Sequence, residues 1–154
     1  MFYFSENENL ICGIDEAGRG PLAGPVTASC VILPTDFDTQ FLNDSKKLSP
    51  KKREMLNPVI KEKSVAWSVV HINHDVIDRI NILQATLLAM KTAFETLHDN
   101  NFNPINIFEL PVSHLVVDGL YVPKFETLPK SALGNIECVP LVKADGKIPS
   151  VMAA

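Results

Sequence analysis

Residues 11–26 decide the reading of this chain: Ile11-Cys12-Gly13-Ile14-Asp15-Glu16-Ala17-Gly18-Arg19-Gly20-Pro21-Leu22-Ala23-Gly24-Pro25-Val26. The stretch opens on a short apolar run, Ile11 to Ile14, which stops at two adjacent carboxylates, Asp15 and Glu16. Gly18, Gly20, Pro21, Gly24 and Pro25 then mark a tight loop. Val26 to Leu33 is apolar and β-branched and reads as a strand ended by Pro34. Neighbouring residues of a strand face opposite sides of its sheet. Asp15 and Glu16 can therefore serve one site only if the strand ends or bulges there, a distortion that Gly18 and Gly20 permit.

Outward from this stretch, Ser49-Pro50 is a helix start, a serine cap followed by proline at the first helical position. Met55, Leu56, Val59 and Ile60 share one helical face, and Pro58 predicts a kink or an early end. Val65 to Ile72 reads as a strand. Ile82, Leu83, Leu87, Met90, Ala93, Phe94 and Leu97 recur at helical spacing and predict a helix from Asp75 or Asn81 to His98. Leu115 to Val117 is a short strand running into Asp118-Gly119. Ile136 to Val142 is a last strand, followed by the turn dipeptide Asp145-Gly146. The order ββαβαββ predicts one α/β domain over residues 1–154, with a mixed sheet. Pro149-Ser150 opens a further helix that the chain leaves after about one turn. Isolated helices need roughly 12–15 residues, so the end reads as truncated.

With 154 residues, 46% hydrophobic and 21% charged, the chain can bury a core, and disorder is not expected. No apolar run approaches a membrane span, and residues 1–10 lack the basic, apolar pattern of a secretory signal. Cys12, Cys30 and Cys138 are too scattered for a disulfide framework or a zinc site and read as reduced core thiols. A cytoplasmic location is expected. The formal net charge of −4 argues mildly against a nucleic-acid binder. Its distribution does not, because seven of the 14 basic residues lie between Lys46 and Lys63, opposed there only by Glu54 and Glu62. Such a run is either a solvated helix face or a phosphate-binding surface.

Asp118 repeats the pattern of Asp15: an apolar strand, an acid at its end, then a glycine. Acids at the carboxyl ends of strands stand where α/β sheets place their sites. Three hard oxygen donors there suit Mg²⁺ or Mn²⁺ and not zinc. Read singly, each acid caps a turn just as readily. Gly18, Gly20 and Gly24 do not give the dinucleotide fingerprint, and no Walker loop or nucleophile elbow appears.

The blocks GIDEAGRGPLAGPV (13–26), NDSKKLS (43–49), IDRINILQAT (77–86), VDG (117–119) and VKAD (142–145) are collinear, and together they resemble the ribonuclease HII family. The resemblance implies a ribonuclease H-like fold, a five-stranded mixed sheet flanked by helices. It implies an endoribonuclease that cleaves the RNA strand of RNA–DNA hybrids and single ribonucleotides embedded in duplex DNA, in the context of DNA replication and repair. The implied products carry 5′-phosphate and 3′-hydroxyl ends, the cofactor is Mg²⁺ or Mn²⁺, and the expected state is a monomer. Asp15, Glu16 and Asp118 match the family's metal-binding carboxylates. Gly18, Arg19 and Gly20 match the loop that reads the RNA–DNA junction, and Lys46 matches a phosphate-contacting position. The resemblance also implies a fourth carboxylate, on the helix that begins near Ser150 and is not reached here. Ala144 stands where the family has glycine, and Asp145 is read as a neighbour of the metal site, not a ligand. The rival expectations are a catalytically inactive hybrid-binding fragment, a fragment that does not fold alone, and a junction resolvase of related fold.

Overall fold

A computed structural model describes residues 10–20, 24–42, 48–125 and 136–154. Five strands, β1 (Leu10–Ala17), β2 (Val26–Ile32), β3 (Ala66–Ile72), β4 (Val112–Asp118) and β5 (Glu137–Leu141), form one sheet in the order β3-β2-β1-β4-β5. β1, β2 and β3 pair antiparallel, whereas β4 runs parallel to both β1 and β5. This is the expected mixed sheet. The antiparallel half is a meander, and the parallel half needs the long crossovers that the helices supply.

The helices are α1 (Pro50–Lys63), α2 (His74–Ile80), α3 (Ile82–Glu95) and α4 (Pro149–Ala153). The predicted helix from Asp75 or Asn81 to His98 is two helices and ends three residues earlier. Asn81 divides them: it takes φ 69°, which breaks α2, and its side chain accepts from the Gln84 N–H to cap α3. α3 lays Ala85, Ala89, Met90, Ala93 and Phe94 on the sheet against Cys12, Ile14, Ala28, Cys30, Ile32, Leu115 and Val117. Small residues dominate the stripe, so the helix sits close to the strands. The Sγ atoms of Cys12 and Cys30 lie 3.0 Å apart, both buried and reduced; Cys138 is half-buried.

α1 departs from expectation in two ways. It does not end at Pro58 but continues to Lys63. Pro58 and Glu54 are both exposed, so the hydrogen bond that proline removes falls on the solvent side, where water can replace it. Met55, placed on the apolar face, is 66% exposed, and no residue of α1 is fully buried. α1 instead walls an open groove of about 340 Å³ against β2, β3 and the end of α4. Among the described residues, no helix is long and apolar enough to cross a membrane.

Pleating gives the sheet two unlike faces. Cys12 and Ile14 of β1 point to α3, so Gly13 and Asp15 belong to the other face. There α4 packs on β1 so closely that a Cβ on Gly13 would lie 2.3 Å from the Ser150 carbonyl carbon. α4 covers Val116 with Val151 and Ile148. Beyond it the same face stays partly open.

Candidate metal centre

Three carboxylates gather at the centre of this second face. Oxygens of Asp15, Asp118 and Asp145 lie within 4.8 Å of one another, each residue half-buried. Asp15 stands just past the last rung between β1 and β4, Ile14 with Val117, and Asp118 is the final residue of β4. Asp145 comes from the turn Ala144–Gly146 that follows β5. That turn is entered through Lys143 in the left-handed conformation, φ 59°, strain of a kind that collects at functional sites. The Ala144 N–H donates to Asp118 Oδ1 at 2.8 Å, which ties the turn to the strand end. The Glu16 N–H donates to Asp15 Oδ1, also at 2.8 Å.

The electrostatics of the cluster are unfavourable without a cation. Burial pushes the Asp15 carboxyl up to about 7 from an ordinary 3.8, and the charges of Asp118, Glu16 and Asp145 push in the same direction. The bond from the Glu16 N–H opposes this and does not cancel it. Converging carboxylate oxygens are the donor set a hard divalent cation rewards.

The structure groups two of the acids differently from their spacing along the chain. Asp145, set aside there as a neighbour, is in the cluster. The signal was available: Ile136 to Val142 is a third apolar strand followed by an acid, the pattern that selected Asp15 and Asp118. What no sequence shows is the bond from Ala144 that brings Asp145 back over the strand end. Glu16 is not in the cluster. Strand β1 neither ends nor bulges at Asp15-Glu16: Asp15 pairs with Ser29, Glu16 with Ala28 and Ala17 with Thr27 in unbroken register. The pleat therefore turns Glu16 away, and its carboxylate meets Arg19 at 3.3 Å.

Among the loop residues, Gly18 takes φ 90°, and a Cβ there would meet the Pro25 carbonyl oxygen at 2.6 Å. Arg19 and Gly20 are exposed beside it, and among the described residues nothing lies within 4 Å of a Cβ on Gly20. Lys46 lies outside the described residues. The basic residues Lys51, Lys52, Arg53 and Lys63 of α1 are exposed.

The sheet order, the helices on both faces and the carboxylates on the two central strands define a protein of ribonuclease H-like fold. Solved structures agree. A ribonuclease H2 from Pyrococcus horikoshii superposes with a TM-score of 0.71 at 23% identity, over 94% of this chain and 68% of that one. A Bst-RNase HIII in complex with Mn²⁺ does so with a TM-score of 0.67 at 18% identity, over 96% and 49%.

The family is narrower than the fold. The Ribonuclease HII family profile matches residues 12–154, and the chain belongs to that family. It is 46% identical over 145 residues to the ribonuclease HII of Dechloromonas aromatica, covering 94% of this chain and 64% of that protein. It is 45% identical over 148 residues to that of Treponema denticola, covering 94% and 71%. The chain thus spans about two thirds of the length of these two relatives.

Proposed function

We propose that this chain carries the catalytic centre of an endoribonuclease that hydrolyses the RNA strand of RNA–DNA hybrids and cuts at single ribonucleotides in duplex DNA, leaving 5′-phosphate and 3′-hydroxyl ends. The observation that carries this reading is the convergence of Asp15, Asp118 and Asp145 within 4.8 Å, in a chain of the ribonuclease HII family. We assign these three as the holders of Mg²⁺ or Mn²⁺, with Glu16 one residue away at the rim. Mn²⁺ is present in the related Bst-RNase HIII structure. Held there, a divalent ion would supply Lewis acidity for activating a water and for stabilising a leaving 3′-oxygen.

The chain's own residues do the positioning. Asp118 is fixed by the Ala144 N–H and Asp15 by the Glu16 N–H, so both carboxylates are oriented before anything binds. The backbone at Gly18-Arg19-Gly20 is bare enough to approach a ribose 2′-hydroxyl, the group that separates RNA from DNA. Arg19, Lys46 and the cations of α1 neutralise phosphates along the duplex.

The test is incubation of the chain with a DNA duplex containing one ribonucleotide, with Mg²⁺ and then Mn²⁺, and Asp15→Asn as control. Cleavage 5′ to the ribonucleotide that disappears in Asp15→Asn is expected. Cleavage that survives in a folded Asp15→Asn protein removes the metal assignment. Equal cleavage of an all-DNA junction removes the substrate assignment.

A further inference from the structure

Three of the described residues other than glycine take a positive φ: Asn81 at 69°, Phe102 at 62° and Lys143 at 59°. The side chains of the first two are engaged where they stand. Asn81 accepts from the Gln84 N–H, and the Phe102 ring stacks on that of His98 at 4.9 Å. Lys143 is exposed, and no hydrogen bond or ion pair to the described residues holds its ammonium. Lys147, at the far end of the same turn, donates its own to the Val142 carbonyl at 3.4 Å.

A left-handed backbone suits glycine or asparagine and strains a long side chain, whose Cβ crowds the neighbouring carbonyl. The turn needs this conformation whichever residue fills it. The reversal after β5 aims the next N–H, that of Ala144, at Asp118 Oδ1, 2.8 Å away. It also seats Ala144, fully buried, among Val116, Ile148 and Val151. Glycine would serve that geometry without strain. Lysine keeps the strain and adds a positive charge, and strain retained in this way points to use of the side chain.

The charge stands at the metal centre. Only the Lys143 carbonyl carbon separates its Cα from the Ala144 nitrogen, so that Cα lies within about 5 Å of Asp118 Oδ1. A lysine stem carries its ammonium about 6 Å from the Cα, far enough to reach a group seated on the three carboxylates. A phosphodiester brought there is an anion among Asp15, Asp118 and Asp145, and an ammonium is a compact point charge suited to phosphate. We propose that Lys143 binds a non-bridging oxygen of the phosphate at the metal centre, offsetting the charge of the carboxylates and fixing the phosphate over them. This inference rests on the proposed function and adds a substrate-binding residue to the same site.

The test compares Lys143→Asn and Lys143→Arg with the parent. Asparagine tolerates the left-handed backbone, so the first variant keeps the turn and removes only the ammonium. Its single-turnover cleavage of a duplex containing one ribonucleotide, with Mg²⁺, should fall about 10- to 100-fold. Anisotropy of a labelled RNA–DNA hybrid is then read across a range of salt, with Asp15→Asn added to every protein so that the duplex stays intact. The slope of log affinity against log salt should be shallower by about one in Lys143→Asn, for one lost phosphate contact. Lys143→Arg, which keeps the charge, should keep the parent's slope. Lys143→Asn should melt no lower than the parent, and its calorimetric Mn²⁺ affinity should not fall. Cleavage and salt slope like the parent's in Lys143→Asn overturn this inference alone. Weaker Mn²⁺ binding or a lower melting temperature in that variant also overturns it, since the lysine then serves to hold the turn. A parent that neither cleaves the duplex nor binds the hybrid overturns the proposed function, and this inference with it.

Discussion

The two faces of the one sheet are built to opposite specifications. The face under α3 is apolar and sealed: Cys12, Ile14, Cys30, Leu115 and Val117 are fully buried beneath Ala89, Ala93 and Phe94. The opposite face, one residue out of step on the same strands, holds Asp15 and Asp118 with a short helix on one side and an open groove on the other. Strand alternation lets a single β1 supply both. The sealed face pins the backbone, and the pinned backbone holds carboxylates together that would otherwise separate. Stability is placed on one side, and electrostatic strain is tolerated on the other.

Four changes would break or sharpen that contrast. Asp15→Asn or Asp145→Asn should lower cleavage about a thousandfold or more, since each removes an oxygen from a site worth several kcal/mol of transition-state stabilisation; single-turnover rates read it. The metal-free fold should not suffer. Phe94→Ala, on the sealed face, should do the reverse. It should cost about 3–5 kcal/mol of stability in denaturant unfolding while leaving the metal-ligand set intact.

Gly13→Ala lies between the two faces. Its new methyl would meet the backbone of Ser150 and Val151 at 2.3–2.6 Å, pushing α4 and the preceding turn of Asp145 away. Overpacking of this kind costs about 1–3 kcal/mol. Here it should also weaken Mn²⁺ binding, which a change confined to the sealed face would not.

The smallest effect concerns pH. The Asp15 carboxyl titrates near 7 in the fold and near 3.8 in the unfolded chain, so the folded state holds the extra proton between those values. The contribution of this group to metal-free stability is therefore greatest at low pH, falls as pH rises from about 4 to about 7, and is flat above. Melting temperatures without metal should drop by a few degrees over that window. The drop should vanish in Asp15→Asn and reverse when Mg²⁺ is present, because metal binding needs the ionised form.

Much of this was legible in the sequence where local chemistry decides the outcome. All five strands, the Ser49 cap and the α3 stripe follow from periodicity and capping, and Asp15 and Asp118 from acids at strand ends. The differences share a cause. Asp145 was read as half of a turn dipeptide, because its membership depends on a hydrogen bond spanning 26 residues, from Ala144 to Asp118. Glu16 follows Asp15 directly and shares a site with it only where the strand ends or bulges, and continued pairing with β2 fixes a pleat that separates the two carboxylates. Pro58 predicts a kink or an early end, yet the helix runs on to Lys63, because the bond that proline removes falls on an exposed face. Each turns on what surrounds a residue in space, which spacing along the chain does not encode.

Calorimetric titration of Mn²⁺ into the chain at pH 6, repeated in two buffers of different ionisation enthalpy and with Asp145→Asn, tests the central claim most directly. Binding through Asp15, Asp118 and Asp145 predicts a saturable signal with proton release from Asp15, and its loss in Asp145→Asn. Mn²⁺ binding that is unchanged by Asp145→Asn and releases no proton would contradict it.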